Sequence, residues 1–264
     1  MLLAVDVGNT QTALAMFEDA RLAGYWRAAT EAERTADEVG ALVARLLELA
    51  DLAFDDVTGV CLASTVPPLV RSYSEFSHRY AEAPLLVLGP GTKTGIPVVY
   101  DDPREVGPDR IANAVAAKDR YGAPSVVVDF GTSTNFDVVS PDGAYVGGVL
   151  APGVEISMDA LFARAARLQR VELRAPERVI GRTTVAGLQS GMVFGFAGQV
   201  DAIVERIRGE LIGDEGLRSR GANAIPAIAT GGLADVIAPH ARTISHVDPL
   251  LTLEGLRLVW ERNA

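Results

Sequence analysis

The sequence predicts an α/β protein built from two similar halves, each containing a mixed β-sheet. In the first 88 residues the predicted order is strand, strand, strand, helix, strand, helix, strand, which is typical of a mixed sheet. An Asp-x-Gly pattern also occurs twice, at Asp6 and at Asp129, which are 123 positions apart. Because each copy lies between two apolar strands, the repeat predicts a duplicated fold with a ligand-binding cleft between its halves.

Hydrophobic periodicity predicts the elements of the first half. Apolar runs predict strands, and the apolar stripe formed by Val39, Val43 and Leu47 predicts a helix. Thr35, followed three positions later by Glu38, is typical of a capping box at the start of that helix. The predicted strands are 2–7, 11–17, 21–29, 57–65 and 84–88, and the predicted helices are 33–50 and 66–80.

A Pro- and Gly-rich stretch at 89–110 is the best candidate for a domain boundary. We therefore expect an N-terminal domain at 1–112 and a C-terminal domain at 113–264. The second half repeats the rhythm of the first. Its predicted strands are 125–131, 134–140, 144–152 and 224–230, and its predicted helices are 109–122, 157–168, 189–207 and 251–263.

Composition narrows the class of protein. The chain has 264 residues, of which 48% are hydrophobic and 22% charged, as in globular proteins. A net charge of -10 without a basic patch disfavours nucleic acid and anionic membranes as partners. Cys61 is the only cysteine, which excludes an intrachain disulfide and a cysteine-based zinc site. Without a signal-like or membrane-spanning run, we expect a cytoplasmic protein with no membrane partner.

The two Asp-x-Gly turns suggest a binding site for phosphate. The first is AVDVGNTQTA at 4–13, and the second is DFGTSTN at 129–135. Glycine permits close approach of a ligand, and backbone N–H groups with small polar side chains can surround phosphate oxygens. Each aspartate would repel a phosphate unless a cation lay between the carboxylate and the phosphate. The alternative is a pair of ordinary hairpins in which each aspartate stabilises its turn.

The better-known phosphate-binding loops are absent from the sequence. Lys93 and Lys118 are the only lysines, and neither follows the Gly-Lys-Ser/Thr pattern of a P-loop. No G-x-G-x-x-G follows the first strand. Gly231 and Gly232 end an apolar strand, where they could lie against a nucleotide base or ribose or could form a plain strand-to-helix turn.

The segment EVGPDRIANAVAA, at 105–117, carries a second candidate site. Asp109 and Arg110 lie at the predicted start of a helix. An aspartate at that position is often a helix cap. A carboxylate beside a guanidinium could equally accept a proton from a substrate and hold an anionic group. The sequence by itself leaves both interpretations open.

Taken together, these motifs resemble those of the type III pantothenate kinases, in the superfamily of acetate kinases, sugar kinases and actin. The resemblance covers nearly the whole chain. DVGNTQT and DFGTSTNFD resemble the two phosphate motifs, GPDR resembles the Gly-x-Asp-Arg signature, and GGVLAPGV, IGRTTVAGLQSG and LTLEGLRLVWERN match in kind and order. The resemblance implies two duplicated RNase H-like (actin-like) α/β domains, each with a mixed sheet, and an active site in the cleft between them.

The resemblance also implies an activity, phosphorylation of the primary hydroxyl of pantothenate by ATP as the first step of coenzyme A biosynthesis. Asp109 would be the general base, Asp6 would lie near the ATP-bound Mg²⁺, and Asp129 would bind a monovalent cation, K⁺ or NH₄⁺. The residues implied to contact ATP are Asp6, Val7, Gly8, Asn9, Thr10, Gln11, Thr12, Ala13 and Thr132.

Pantothenate would contact residues from two protomers of a homodimer. The residues implied at its site are Tyr100, Gly107, Pro108, Asp109 and Arg110, with Thr184 from the partner protomer. Three positions depart from the commonest family patterns, namely Ser133, Asn135 and Pro108. Two other functions are compatible with such a fold, a catalytically silent regulator of gene expression and a kinase of another small hydroxy acid or sugar. Intact Asp6, Asp109, Arg110 and Asp129 favour the kinase.

Overall fold

The computed structural model describes residues 1–165, 170–213 and 225–264. The chain forms two compact units, the first made of Met1–Ala116 with Leu251–Ala264 and the second of Ala117–Leu250. No helix in the described ranges is both long and apolar enough to cross a membrane.

The first unit is a five-stranded mixed sheet with helices. Its sheet has the order β3-β2-β1-β4-β5, in which β2 is antiparallel to β1 and β3 whereas β4 is parallel to β1 and β5. Its elements are β1 (Leu2–Val7), β2 (Gln11–Glu18), β3 (Arg21–Ala29), α1 (Ala36–Glu48), β4 (Gly59–Ser64), α2 (Pro67–Phe76), β5 (Leu85–Val87), α3 (Pro108–Tyr121) and α7 (Leu251–Glu261).

Side-chain alternation divides the residues of β1 between two layers of the first unit. Leu3, Val5 and Val7 are buried in one core with residues of α1 and α2. Asp6 belongs to the other face of the strand, because successive side chains of a strand point to opposite faces. The predicted capping box is confirmed, since Glu38 N donates to Thr35 Oγ1 at 3.3 Å and Thr35 N donates to Glu38 Oε2 at 2.8 Å.

The second unit has the same sheet topology as the first. Its strand order is β10-β9-β6-β7-β8, with β7 antiparallel to β6 and β8 and with β9 parallel to β6 and β10. Its elements are β6 (Ser125–Phe130), β7 (Ser133–Val139), β8 (Tyr145–Pro152), α4 (Val154–Arg164), α5 (Thr184–Ile212), β9 (Ala227–Thr230), α6 (Ala234–Ile237) and β10 (His246–Val247).

The predicted duplication is confirmed in the strands that carry the two aspartates. β1 and β6 begin and end at positions that are 123 residues apart, and the aspartate is next to last in both. The turns that follow differ by one residue. Val7 is paired with Thr12 in the first hairpin, whereas Phe130 is paired with Thr134 in the second.

The two units differ from the predicted domains 1–112 and 113–264. The chain passes between the units at 116/117 and again at 250/251, so the C-terminal helix belongs with the first unit. Contacts between α3 and α7 give the reason. Thr252 Oγ1 donates to Asn113 Oδ1 at 2.7 Å, and Gly255 lies directly against the backbone of Ala112. Such long-range contacts leave no trace in local composition.

Helix lengths in the second unit also differ from those predicted. α4 begins three residues before the predicted start, and its predicted end at 168 lies outside the described residues. α5 is longer at both ends than the predicted 189–207, and at its N-terminus it is capped by Thr183, which accepts from Ala186 N at 3.1 Å. The short elements α6 and β10 were not predicted, since two to four residues carry too little periodicity.

We predict that Gly255→Ala destabilises the first unit. A Cβ atom there would lie 2.0 Å from the carbonyl oxygen of Ala112, so α7 would have to move away from α3. We expect a loss of about 1–3 kcal/mol in the free energy of unfolding, measured by urea denaturation. Gly209→Ala is the matched control, since a Cβ on that exposed glycine of α5 meets no described atom within 4 Å. An equal loss in both variants would contradict the prediction.

Candidate active site

The first Asp-x-Gly turn presents three of its residues to solvent. Asn9, Thr10 and Gln11 are exposed, and Gly8 N donates to Gln11 O at 3.0 Å to close the turn. A Cβ on Gly8 would lie 3.1 Å from the same carbonyl oxygen, so a larger residue would strain the turn. The polar atoms available to a ligand therefore come from the tip of the turn.

Two of the residues that flank this turn are buried and make contacts within the fold. The side chain of Val7 is fully buried in the core with α1 and α2, so only its backbone could face a ligand. Thr12 is 2% exposed, and its hydroxyl shares a hydrogen bond of 2.8 Å with Thr30. Asp6 is half-buried and is paired on the sheet with Ala13 and with Ala63, both of which have small side chains.

The second turn is shorter and is closed by a different hydrogen bond. Gly131 N donates to Ser133 O at 3.0 Å. A Cβ on Gly131 would make ordinary contacts, 3.6 Å from Asp129 Oδ1 and 3.7 Å from Ser133 O. Packing within the described chain therefore does not require glycine at 131. Thr132, at the tip, is exposed.

Two glycines from other elements pack closely around the second turn. Gly153, the N-cap of α4, lies so close to Thr132 that a Cβ would be 2.2 Å from its carbonyl oxygen. Gly231 has a φ of +89°, and a Cβ there would lie 2.4 Å from Asp129 Oδ1. The glycine at 231 is thus explained by its backbone conformation and its contact with Asp129. A role in binding a base or ribose is not needed to account for it.

Asp109 lies in the first turn of α3, which begins at Pro108, one residue before the predicted start. Gly107 precedes the helix, and its carbonyl accepts hydrogen bonds from Arg110 N at 3.1 Å and Ile111 N at 3.3 Å. The carboxylate packs against Gly107, where a Cβ would lie 2.4 Å from Asp109 Oδ1. Glycine at 107 therefore makes room for the carboxylate, and Asp109 is not itself the N-cap.

Asp109 could act as a helix cap or as a proton acceptor, and the two roles differ in the hydrogen bonds that its carboxylate accepts. The Oδ1 atom is buried and accepts no hydrogen bond from the described residues. Burial raises the pKa of Asp109, while hydrogen bonds from the backbone N–H groups of Arg110 and Asp109 and the charge of Arg110 oppose the rise. A carboxylate that only capped the helix would have a lowered pKa. The raised pKa makes Asp109 a stronger proton acceptor.

Acidic residues, histidines and cysteines do not cluster as ligands of a metal. No group of three or more such side chains able to hold a metal ion occurs in the described part of the chain. Asp6 and Asp129 could each supply one carboxylate to a cation whose other ligands come from elsewhere. Mg²⁺ is commonly held in this way, by one or two carboxylates, waters and substrate phosphates.

The remaining predicted site residues lie on loops and at a helix start. Tyr100 is half-buried in the irregular segment between β5 and α3. Thr184 is exposed and is the first residue of α5. Lys93 lies in a loop held to the C-terminus by Asn263, whose Nδ2 donates to Lys93 O at 2.9 Å. No helix begins after Lys93, as a P-loop would require, until the short turn Pro103–Glu105.

Two polar residues flank Asp129 across the sheet, and neither was predicted to act at the site, although Asn135 is one of the departures from the family pattern. Asn135 of β7 and Thr230 of β9 are the direct neighbours of Asp129 across the sheet. Both are buried, at 9% and 2% exposure. The polar residue Asn135 in an apolar strand was a visible signal, but its position opposite Asp129 required the strand register.

Comparison with known proteins agrees with the motifs. Residues 2–206 match the family model described as type III pantothenate kinase. The chain belongs to the type III pantothenate kinase family. The type III pantothenate kinase of Acidothermus cellulolyticus is 53% identical over 100% of this chain and 99% of its own length. That of Moorella thermoacetica is 49% identical, with 100% of both chains covered.

Solved structures share the fold of this family member at low sequence identity. A Campylobacter jejuni protein described as a Baf family transcriptional activator aligns with a TM-score of 0.59 and 18% identity, covering 99% of this chain and 98% of its own. The ethanolamine utilization protein EutJ of Carboxydothermus hydrogenoformans aligns with a TM-score of 0.53 and 15% identity, covering 97% and 89%. At such identities these likenesses establish the fold alone.

We predict that Asp109→Asn gains stability relative to wild type as the pH rises. Because the folded-state pKa of Asp109 is raised, its protonation stabilises the wild type at low pH, and this contribution is lost as pH rises through the folded-state pKa. The side chain of asparagine does not ionise in this pH range, so the Asp109→Asn variant does not lose stability in this way. The melting temperatures of both proteins, compared from about pH 4, near the ordinary pKa of an aspartate, up to about pH 8, should therefore diverge in favour of the variant. A difference that is constant with pH would contradict burial of the carboxylate.

Proposed function

We propose that this protein is an ATP-dependent kinase that phosphorylates the primary hydroxyl of pantothenate to give 4′-phosphopantothenate, the first step of coenzyme A biosynthesis. Membership of the family supports this activity. The structural observation that carries it is Asp109, a carboxylate whose Oδ1 atom is buried and accepts no hydrogen bond from the described residues. A structural cap has no need of such an atom, whereas a base that accepts a proton does.

Asp109 acts as the general base of the proposed reaction. Its carboxylate accepts the proton of the pantothenate hydroxyl as the oxygen attacks the γ-phosphoryl group. Burial raises the pKa of Asp109 and so strengthens this proton acceptor. Contact with Gly107 fixes the position of the carboxylate. Because phosphoryl transfer needs little covalent assistance, most of the rate comes from alignment of the reactants and neutralisation of charge.

The first turn binds the phosphates of ATP in this proposal. Exposed Asn9, Thr10 and Gln11 contact phosphate oxygens, and Asp6 lies beside the nucleotide-bound Mg²⁺. The alanines on either side of Asp6 fit this role, because Mg²⁺ retains several waters and needs room. The ion, when bound, neutralises negative charge on the phosphates.

Residues of the second turn complete the set proposed to act on ATP. Thr132 is exposed and contacts the nucleotide, and Asp129 holds a monovalent cation, K⁺ or NH₄⁺. A cation at this position supplies positive charge of the kind that a P-loop lysine would provide, and the sequence contains no P-loop pattern. Gly131 supports the role of the turn, because no contact within the described chain explains its missing side chain.

Pantothenate is proposed to bind near Asp109. Gly107, Pro108 and Arg110 surround the base along the chain, and Tyr100 lines the same pocket. Arg110 is buried, at 7% exposure, and its guanidinium suits the carboxylate of pantothenate.

Thr184 is proposed to reach pantothenate from the partner protomer of a homodimer. Exposed apolar side chains of the second unit support such an interface, because large patches of this kind mark contact surfaces. Several belong to β8, α4, the segment that leads into α5 and the first turn of α5, namely Leu150, Ile156, Val179, Ile180 and Val185. The protein is also proposed to be cytoplasmic, on the basis of its composition.

The two alternative functions make different demands on the same residues. A catalytically silent regulator would not need the buried carboxylate of Asp109. A kinase of another hydroxy acid or sugar would keep Asp109 and the first turn but would differ at the residues around Gly107. An assay of ADP release that depends on ATP and pantothenate separates the three functions.

We predict that Asp109→Asn reduces kcat by about 10²–10⁴-fold, because the general base is lost while the shape of the side chain is kept. The measurement is ADP release that depends on both ATP and pantothenate, in KCl and then in NaCl. Asp119→Asn is the matched control, since it makes the same change at an exposed position of the same helix. It should retain wild-type turnover.

Each result of this assay points to one function. Wild-type turnover with pantothenate and its collapse in Asp109→Asn support the proposed kinase and its base. Turnover that survives in Asp109→Asn rejects the base but keeps the kinase. Turnover with other hydroxy acids only, or no turnover at all, favours the other kinase or the regulator respectively.

We predict that two inactive variants complement each other in a mixed dimer. Thr184→Arg should block pantothenate binding, and Asp109→Asn should stop chemistry, so each variant alone is inactive. When they are co-expressed, half of the dimers are hybrids, and one of the two sites in each hybrid is intact. About a quarter of the wild-type activity should return. No recovery in hybrids purified by two different tags would show that Thr184 does not serve the partner's site.

A further inference from the structure

The two aspartates occupy equivalent positions but have chemically different neighbours. Asp6 is flanked across the sheet by Ala13 on β2 and Ala63 on β4. The residues that flank Asp129 are Asn135 on β7 and Thr230 on β9. Since the sheet topology is the same in both units, the difference lies in the side chains and not in the fold. One carboxylate has apolar, small neighbours, and the other has two neighbours that contain neutral oxygen atoms.

Asn135 has a polar atom that the described fold does not use. The residue is 9% exposed, and its Oδ1 atom is buried and accepts no hydrogen bond from the described residues. Leaving a buried amide oxygen without a hydrogen-bond partner is unfavourable, so the fold alone does not account for its position. Directly opposed residues of an antiparallel pair have their side chains on the same face, so Asn135 lies beside Asp129.

The opposite side of the Asp129 carboxylate is occupied by backbone. Gly231 approaches it so closely that even a Cβ would lie 2.4 Å from Asp129 Oδ1. A ligand of this carboxylate is therefore not expected on the side of Gly231. The neighbour on β7 offers a further oxygen, because the amide oxygen of Asn135 accepts no hydrogen bond from the described residues.

The two environments suit two kinds of cation. Mg²⁺ gives up its waters reluctantly, so a carboxylate flanked by small side chains, as Asp6 is by Ala13 and Ala63, suits the hydrated ion. K⁺ is commonly bound through neutral oxygens that replace its hydration shell. An amide oxygen beside a single carboxylate meets that requirement at Asp129.

We propose that Asn135 Oδ1 is a direct ligand of the monovalent cation at Asp129 and sets the affinity and selectivity for that cation. This inference rests on the proposed function, which places the cation at Asp129. It adds a ligand from β7 and explains why an unpartnered amide oxygen is buried in that strand. Thr230 is the neighbour on the other strand, and its hydroxyl belongs to the same environment.

The test measures cation binding without catalysis. The full chain is unfolded thermally in the absence of ATP and pantothenate, and tetramethylammonium chloride is replaced stepwise by KCl or NaCl at constant ionic strength. A ligand that binds only the folded state raises the melting temperature with its concentration. The wild type should show a saturable rise with K⁺ and a higher midpoint with Na⁺.

Asn135→Leu removes the oxygen and keeps most of the volume. We expect its K⁺ midpoint to rise by at least about tenfold, the lower end of the loss seen when groups around a metal are removed. Thr134→Val is the matched control on the same strand, where a buried hydroxyl without a described partner is replaced by a methyl group. Thr134 lies on the opposite face from Asn135, so its K⁺ midpoint should not change.

A wild-type midpoint in Asn135→Leu would overturn the proposal. If that variant does not fold, Asn135→Thr decides the matter, since it returns one oxygen on a shorter side chain and should alter the ratio of the K⁺ and Na⁺ midpoints. An unchanged ratio would also overturn it. A wild type that shows no K⁺-specific shift but phosphorylates pantothenate would reject the cation site while the proposed function stands.

Discussion

Side-chain alternation along the central strand of each sheet is the constraint on which the candidate site depends. In β1, alternate residues must face the core formed with α1 and α2, and this requirement places Asp6 on the other face. In β6, Val126, Val128 and Phe130 face the core formed with α5, and Asp129 is displaced in the same way. A shift of one residue in either strand would place the carboxylate in the apolar core and move apolar side chains out of it.

The glycines around the site are present for different physical reasons. Gly107, Gly153 and Gly231 each lie where a Cβ would collide with atoms of the chain, so packing alone explains them. Gly131 has no such conflict, and its small size matters only if something outside the chain approaches the turn. Sorting glycines by this criterion separates positions that shape the protein from a position that leaves room for a ligand.

Much of the fold could be predicted from the sequence because its signals are local. The strand 2–7, the strand that begins at Ser125 and the capping box at Thr35 were each predicted and found. The attachment of α7 to the first unit could not be predicted, because it depends on contacts such as Thr252 with Asn113, 139 positions apart in the chain. The raised pKa of Asp109 and the unpartnered oxygen of Asn135 depend on burial, which only the assembled fold defines.

The return of the chain to the first unit affects the order in which the protein can be made. All strands of that unit have left the ribosome long before residues 251–264 are translated, yet the helix that packs against α3 lies in those last residues. The second unit, at 117–250, is synthesised in one piece and can fold without waiting. The segment that carries Asp109 therefore acquires the support of α7 only after the whole second unit has been synthesised, so the first unit is completed later than the second.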